Sequence, residues 1–234
     1  MISIVFPAFN EAENLKRFPA GVFTVFERLG EPYEVIVVDD GSTDETAAVA
    51  ETLGSRARLV RHPRNLGLGA AVRTGIAAST GDLVATLDTD LTFAPSLVAS
   101  MLERYRKGDV DVVSGSPKLA GYGKDIPTYR ILVSKASTLV YSILLGRWIT
   151  SVSPICRLYQ RSDIIDLPLQ ATGFDINAEI LFHLIRNKKR VAEIPAELTT
   201  RIHGESKLDY PKEMKRHFRL VKRMLAWRLG FGKN

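Results

Sequence analysis

The chain is poor in the residues that build disulfide frameworks and zinc sites. Its 234 residues include one cysteine, Cys156, and four histidines scattered along the sequence. A single cysteine cannot form an intramolecular disulfide, and no closely spaced Cys and His set suggests zinc ligands. The composition therefore favours a reducing, cytoplasmic setting without structural zinc.

Long hydrophobic runs are also missing. The uncharged core of the most apolar helical stretch covers residues 136–146, whereas roughly 20 residues are needed to cross a bilayer. The opening residues have no basic group followed by a long apolar run, so they lack the pattern of a signal peptide. Apolar residues nevertheless make up 45% of the chain, which excludes wholesale disorder and allows a substantial core.

An excess of one charge sign occurs only near the C-terminal end. The net charge is +6, and residues 205–234 carry nine Lys and Arg against three Asp and Glu, which leaves 23 of each sign in residues 1–204. A neutral body with a basic end indicates where an anionic partner would bind. Nucleic acid, an anionic membrane and a solvated helix without a partner all remain open on charge alone.

Short apolar runs alternate with segments of helical periodicity in the first half. Runs that are nearly continuous in Val, Ile and Leu suit parallel strands buried on both faces, and their alternation with helices predicts an α/β fold with a mostly parallel sheet. The predicted strands are 2–6, 34–38, 58–60, 82–87, 110–114 and 190–194, and the predicted helices are 11–29, 44–53, 68–79, 95–107, 129–149, 173–187 and 211–229.

Polar clusters follow four of these strands directly, at residues 7–11, 39–44, 62–67 and 88–92. In open α/β sheets, ligands bind at the carboxyl ends of the strands. The four clusters are therefore expected to meet in one site.

Asp88-Thr89-Asp90 carries the strongest chemical signal. Two carboxylates one residue apart at a strand end can bind a hard cation such as Mg²⁺ or Mn²⁺, which would also hold a diphosphate. The alternative is a pair of aspartates that cap the loop and the next helix.

Two further motifs suit nucleotide binding. Asp39 and Asp40, followed by Gly41, can accept hydrogen bonds from a nucleobase or ribose, although Ser42 or Asp44 could equally mark a turn and a helix cap. The segment 65–69, Asn-Leu-Gly-Leu-Gly, lacks the full spacing of a phosphate loop and is interpreted mainly as a tight helix entrance.

The set of motifs resembles family 2 glycosyltransferases, which have the Rossmann-like GT-A fold. The resemblance rests on Pro7-Ala8-Phe9-Asn10-Glu11, Val37 to Asp44, Asn65-Leu66-Gly67 and Asp88-Thr89-Asp90. In the second half, Gly173-Phe174-Asp175 with Glu179, Glu193-Ile194-Pro195 and Arg201 to Leu208 look like the dolichyl-phosphate mannose synthase branch. This resemblance implies an inverting enzyme that moves a hexose from GDP-mannose or a UDP-hexose to a polyprenyl phosphate, with mannose as the first candidate sugar.

The resemblance also implies residue roles. Catalysis falls to Asp88, Asp90, Arg130, Arg201 and Lys207; nucleotide-sugar binding to Pro7, Phe9, Glu11, Val38, Asp39, Asp40 and Asp88; acceptor-phosphate binding to Lys118, Arg130, Ser134, Arg201 and Lys207; and Mg²⁺ or Mn²⁺ binding to Asp88, Asp90 and Thr92.

Two positions depart from the family pattern. Thr92 stands where the family often has Gln, and Pro117 stands where an Arg is common, with Lys118 next. A lysine is a point charge and not a bidentate fork, so acceptor recognition is open at this position. A family 2 transferase with a non-lipid acceptor, and a nucleotide-sugar-binding regulator without catalysis, are therefore the alternatives.

Residues 1–208 are expected to form the GT-A domain, and residues 209–234 a basic amphipathic helix that lies at a membrane surface or on the acceptor side. Apolar residues recur there at helical spacing and form a stripe with basic residues around it. This pattern is typical of an interfacial helix on anionic lipid, which would make the protein peripheral on the cytoplasmic membrane face, and the alternative is a stripe packed on the core. Its few aromatic residues lie on the stripe, which does not suit base stacking with nucleic acid. The stripe comprises Met214, Phe218, Val221, Leu225 and Leu229.

Overall fold

The structure is a computed structural model that describes residues 1–121, 128–201 and 209–229. Within these ranges, strands form one sheet in the order β3-β2-β1-β4-β6-β5-β7, in which β6 runs antiparallel to both neighbours and the other pairs are parallel. The predicted mostly parallel α/β sheet is confirmed. The strands are β1 (Ile2–Ala8), β2 (Tyr33–Asp39), β3 (Arg58–Arg61), β4 (Leu83–Thr86), β5 (Val112–Ser116), β6 (Arg157–Gln160) and β7 (Val191–Pro195).

Helices cover the sheet and complete an apolar core on each face. Successive strand residues point to opposite faces, so Val5 lies in one core and Phe6 in the other. This is why the strands are apolar at nearly every position. The helices are α1 (Ala12–Leu15), α2 (Thr24–Phe26), α3 (Thr46–Thr52), α4 (Leu68–Ala78), α5 (Leu97–Tyr105), α6 (Pro117–Ala120), α7 (Thr128–Leu145), α8 (Arg161–Ile164), α9 (Ile176–Arg186) and α10 (Tyr210–Arg228).

The prediction of one helix over residues 11–29 is wrong. Helix α1 ends at Leu15, a π-helical turn covers Pro19–Phe23, and α2 follows. Pro19 has no N–H to donate and its ring clashes with the preceding turn, so a regular helix cannot continue through it. The segment still buries Phe18 and Phe26 against β1, which explains its helical periodicity.

Strand β6 was not predicted, because it contains a buried charge. Arg157 is fully buried, and its guanidinium donates to Ser114 Oγ at 3.1 Å, to Val152 O at 2.7 Å and to Asn177 O. These acceptors compensate for the loss of water around the charge. The arginine thereby joins β5 and β6 to the start of α9.

Helix α10 packs on the core through a face other than the predicted stripe. Leu220 and Met224 are fully buried, His217 Nδ1 lies 2.6 Å from Tyr141 Oη of α7, and Arg223 Nη2 lies 2.9 Å from Glu179 Oε1 of α9. The alternative in which the whole stripe packs on the core is wrong, because only Val221 of the stripe packs against it. Four stripe residues are 43 to 69% exposed, namely Met214, Phe218, Leu225 and Leu229.

Across the described ranges, no helix is both long and apolar enough to cross a bilayer. The expected domain boundary at residue 208 lies outside the described residues.

Candidate active site

A cavity of about 410 Å³ opens at the carboxyl ends of β1, β2 and β4. The polar clusters that follow these strands meet there, as the sequence predicted. Segments around residues 65–71 and 173–174, Arg201 and the start of α10 complete the wall. The lining residues are Pro7, Ala8, Phe9, Glu11, Asp40, Asn65, Gly67, Leu68, Ala71, Asp88, Thr89, Asp90, Gly173, Phe174, Arg201, Asp209, Lys212, Glu213 and Arg216.

The turn after β1 is held to the turn after β2 by side chains. Asn10 has a left-handed backbone (φ 53°), its amide N–H donates to Ser42 Oγ at 2.9 Å, and its Oδ1 accepts from the Thr43 amide at 2.8 Å. The Glu11 amide donates to Thr46 Oγ1 at 2.8 Å. Asparagine adopts this conformation more readily than most residues. These bonds fix the backbone from which Glu11 enters the cavity.

Asp40 binds the loop that precedes α4. Its Oδ1 lies 2.7 Å from His62 Nδ1 and accepts from the Leu66 amide at 2.9 Å, and its Oδ2 accepts from the Gly67 amide at 2.8 Å. His62 Nε2 in turn lies 2.9 Å from Thr74 Oγ1 of α4. Asp40 is thus both a cavity residue and the anchor of the loop.

The other acids of this motif face away from the cavity. Asp39 is fully buried, accepts from the Ser42 amide at 2.9 Å and lies 3.1 Å from Arg61 Nε. Asp44 accepts from the amides of Thr46 at 2.9 Å and Ala12 at 3.4 Å, at the starts of α3 and α1. Asp39 and Asp44 therefore stabilise the turn and the helix starts, as in the alternative to nucleotide binding that the sequence left open for this motif.

Three carboxylates and one guanidinium form the charged centre of the cavity. Arg201 Nε lies 2.7 Å from Asp90 Oδ2, and Arg201 Nη1 lies 3.7 Å from Glu11 Oε1. Burial, with the negative charges of Asp90 and Glu11, raises the pKa of Asp88, although the guanidinium of Arg201 partly opposes the shift. The charged centre thus sets three acidic side chains against one guanidinium.

This centre fits a cation shared with a substrate but not a complete protein cage. Within the described ranges, no group of three or more His, Cys, Asp or Glu residues could hold a metal ion by itself. Mg²⁺ is commonly held by one or two carboxylates together with water and substrate phosphates. Asp88 and Asp90 can supply the two carboxylates, because they line one wall beside open cavity volume.

Glycines let the segment before α9 approach α4 closely. The Gly69 amide donates to Thr172 O at 3.0 Å, and a Cβ at position 69 would lie 2.8 Å from the Ala171 carbonyl carbon. Gly67 has φ 96°, a conformation that only glycine adopts easily. The interpretation of residues 65–69 as a tight helix entrance is confirmed, and Asn65, Gly67 and Leu68 also line the cavity.

Residues 3–167 match the family described as Glycosyl transferase family 2. The chain belongs to this glycosyltransferase family. It is 31% identical over 233 residues to a dolichol-phosphate mannosyltransferase of Pyrococcus furiosus, covering 97% of this chain and 64% of that protein. It is also 31% identical over 224 residues to an undecaprenyl-phosphate 4-deoxy-4-formamido-L-arabinose transferase of Sodalis glossinidius, covering 94% of this chain and 66% of that protein. The chain therefore spans just under two thirds of the length of these relatives.

Solved structures show the same GT-A fold. Glucosyl-3-phosphoglycerate synthase from Mycobacterium tuberculosis, crystallised with Mn²⁺, UDP and glucosyl-3-phosphoglycerate, superposes with a TM-score of 0.71 at 24% identity over 100% of this chain and 81% of that one. The expected fold of the family 2 member is confirmed.

Not all the predicted site residues of this family 2 chain meet in the cavity. Pro7, Phe9, Glu11, Asp40, Asp88, Asp90 and Arg201 line it, whereas Val38, Asp39, Thr92 and Lys118 do not. Val38 lies in the core, and Lys118 Nζ lies 5.1 Å from the centre of the Trp148 ring. Lys207 and the side chains of Arg130 and Ser134 lie outside the described residues.

Thr92 supports the motif through its backbone. Its amide donates to Asp90 Oδ1 at 3.0 Å, and its carbonyl accepts from the Thr199 amide at 3.0 Å. This links the acidic motif to the segment that carries Arg201.

The sequence analysis missed the part of the wall that comes from α10. Lys212, Glu213 and Arg216 of α10 line the cavity together with the capping residue Asp209. The sequence left both a membrane surface and the acceptor side open for this helix, and none of these four residues was assigned to the site. The sequence signal was that the basic residues surround the helix, so that some of them must face the protein.

Proposed function

We propose that this chain transfers a hexose from a nucleotide-diphosphate sugar to a polyprenyl phosphate. The observation that carries the proposal is the cavity in which Asp88, Asp90 and Glu11 face Arg201 at the carboxyl ends of the parallel strands. Family membership supports glycosyl transfer, and the names of two relatives identify dolichol phosphate and undecaprenyl phosphate as acceptor chemistry. GDP-mannose is the first candidate donor and a UDP-hexose the second.

The donor's nucleoside would bind against Pro7, Phe9, Glu11 and Asp40, with its diphosphate near Asp88. The Asp40-anchored loop and the turn after β1 both line this volume. Both are fixed by hydrogen bonds in the protein, so little ordering would accompany binding.

Asp88 and Asp90 would hold Mg²⁺ or Mn²⁺, with Thr92 as a proposed further ligand. The cation would supply charge neutralisation for the leaving diphosphate. The position of both carboxylates on the cavity wall supports this assignment.

No general base is required for a phosphate acceptor, because its oxygen is already anionic. The protein's task is then to hold this oxygen in line with the anomeric carbon and to balance charge, and a direct displacement of this kind inverts the centre. Arg201 is the proposed residue for that role, and its contact with Asp90 in the acidic centre supports the assignment. Lys118, Arg130, Ser134 and Lys207 are the further proposed contacts of the acceptor phosphate.

We also propose that the outer faces of α7 and α10 contact an anionic membrane surface on the cytoplasmic side. The two helices pack on each other, and both expose large apolar side chains. Lys215 and Lys222 lie on α10 among its exposed residues, as expected beside anionic lipid. The exposed apolar residues are Leu132, Leu139, Val140 and Ile143 on α7, and Met214, Phe218, Leu225 and Leu229 at α10.

A soluble phosphorylated acceptor is the second candidate. The glucosyl-3-phosphoglycerate synthase structures match this chain over its full length, one of them at 26% identity. The same cavity would then serve an acceptor without a lipid tail.

The test is sugar transfer by wild type, Asp90→Ala and the exposed-site control Asp109→Ala. Labelled GDP-mannose and UDP-glucose would be offered with Mg²⁺ or Mn²⁺ and either a short polyprenyl phosphate or 3-phosphoglycerate. We expect metal-dependent label in the organic phase, lost by at least about 100-fold in Asp90→Ala, as for removal of a group that stabilises transition-state charge. Label on 3-phosphoglycerate alone would establish the second candidate, and donor hydrolysis without transfer would show that both acceptors are wrong.

A further inference from the structure

The first turns of α10 form part of the cavity wall. The helix is fixed at its start, because Asp209 Oδ1 accepts from the Lys212 amide at 3.1 Å and so caps it. Lys212, Glu213 and Arg216 follow at helical spacing and all line the cavity. This end of α10 is therefore attached to the site and not only to the outer surface.

Arg216 is paired with an acid at the cavity wall, and two glycines leave room for its guanidinium. Its Nη1 contacts Glu213 Oε1, and Glu213 Oε2 accepts from the Phe174 amide at 3.0 Å. A Cβ at Gly173 would lie 2.6 Å from Arg216 Nη1, and one at Gly67 would lie 3.6 Å from Arg216 Nη2. The guanidinium thus lies between the start of α4 and the segment before α9, with its side chain 16% exposed.

The charge distribution assigns this arginine a role beyond its pair with Glu213. Among the described lining residues, Arg201, Lys212 and Arg216 are the cations, and Arg201 is engaged by Asp90 and Glu11. An incoming phosphate would meet an acidic centre and needs other positive groups. A guanidinium has five N–H donors in a fixed fork, more than one carboxylate uses, and this geometry suits a phosphate.

The outer side of the same helix exposes large apolar side chains. Met214 and Phe218, two residues before and after Arg216, are 61% and 60% exposed. A helix with a cation at a cavity on one side and exposed apolar groups on the other suits an amphiphile with a phosphate head. Such a molecule would place its head at Arg216 and its chain along the outer side.

We infer that Arg216, assisted by Lys212 nearer the solvent, is a further positioning residue that binds the phosphate of the polyprenyl phosphate acceptor. The inference rests on the proposed function. It adds α10 to the acceptor site, so that the helix proposed to touch the membrane also receives the acceptor's head.

The experiment measures transfer kinetics with a short, water-soluble prenyl phosphate, so that membrane binding does not enter. Arg216→Gln is compared with Arg216→Lys and with the control Arg219→Gln. Arg219 lies about one turn further along α10, and its side chain contacts Lys215 O of its own helix. We expect Arg216→Gln to raise the acceptor KM by about 10- to 100-fold, as for loss of charge-assisted hydrogen bonds. The acceptor KM of Arg216→Lys should lie between those of wild type and Arg216→Gln, and the acceptor KM of Arg219→Gln should match wild type. The KM of the donor should not change.

The remaining outcomes separate this inference from its alternatives. An unchanged acceptor KM in Arg216→Gln, or a raised donor KM alone, would overturn it. Thermal melting checks that each variant folds. Because Arg216→Gln leaves the Glu213 carboxylate without its arginine, Glu213→Gln is combined with it in a double variant. A raised acceptor KM in the double variant supports the inference, and a normal one refutes it. If wild type transfers nothing to any prenyl phosphate, the proposed function itself fails and the inference with it.

Discussion

Replacing Asp40 by asparagine separates a scaffolding role from a ligand contact. The carboxylate accepts hydrogen bonds from the amides of Leu66 and Gly67, and contacts His62 Nδ1. An asparagine side chain of the same shape keeps one oxygen and places an NH₂ group where the other was. In either orientation at least one donor loses its acceptor and faces another donor.

The size of the effect follows from these contacts. Hydrogen bonds to a charged group contribute about 1.5–3 kcal/mol each, so one lost bond and weaker remaining bonds should lower the free energy of unfolding by about 2–4 kcal/mol. This is a large part of the about 5–15 kcal/mol that stabilises a typical domain. Binding of nucleoside diphosphate should also weaken, because Asn65, Gly67 and Leu68 line the cavity.

Urea denaturation of wild type, Asp40→Asn and Asp109→Asn measures the difference. Asp109 pairs with Arg104 at the surface, where solvent and salt screening leave such a pair little net contribution to stability. Asp109→Asn should therefore unfold close to wild type. If Asp40→Asn also unfolds with wild type and loses only nucleotide binding, Asp40 is a ligand contact and the scaffolding argument is refuted.

Three further predictions concern buried positions. Gly69→Ala should lower the free energy of unfolding by about 1–3 kcal/mol, because the new Cβ would collide with the Ala171 carbonyl group. In the same urea assay the control Gly21→Ala, whose Cβ would meet nothing closer than 4.0 Å, should be neutral or stabilising. Equal losses of stability in the two variants would contradict the close approach at Gly69. Burial lowers the pKa of His183 to about 4, so the folded protein should lose stability as pH falls from about 6.5 towards 4, by at most about 1.4 kcal/mol per pH unit, and His183→Leu should remove this part of the slope. An identical pH profile in that variant would show that His183 does not contribute. Burial raises the pKa of the Cys156 thiol to about 12, so a thiol reagent should label the chain only after unfolding, and labelling of the native protein would contradict the packing around β6.

The strands of the parallel part could be predicted from the sequence because each is a short apolar run followed by polar turn residues. The strand predicted at residues 34–38 is β2 (Tyr33–Asp39), and the one at 2–6 is β1 (Ile2–Ala8). Burial on both faces makes such runs conspicuous. Because Glu11, Asp40, Asp88 and Asp90 closely follow predicted parallel strands, the sequence also placed them together at the carboxyl edge of the sheet.

Other features depend on contacts that no local pattern contains. Strand β6 has a charged first residue, and only the three acceptors around Arg157 make its burial possible. Asp39 and Asp40 are neighbours in sequence, and the alternation of strand side chains sends one to Arg61 and the other to the cavity. The contribution of α10 to the site could not be assigned to particular residues, because basic residues surround the helix and local periodicity does not show which of them face the cavity.

The position of β6 has a consequence for synthesis of the chain on the ribosome. Residues 83–86 of β4 pair on one side with β1, which is already made, and on the other with residues 157–160. Strand β5 is made earlier than β6 but cannot use the open edge of β4, since β6 separates the two in the sheet. The nascent chain therefore carries an unpaired strand edge until more than seventy further residues have been added. Such edges invite pairing with other chains. A nascent-chain chaperone acting in this interval would protect that edge from such pairing.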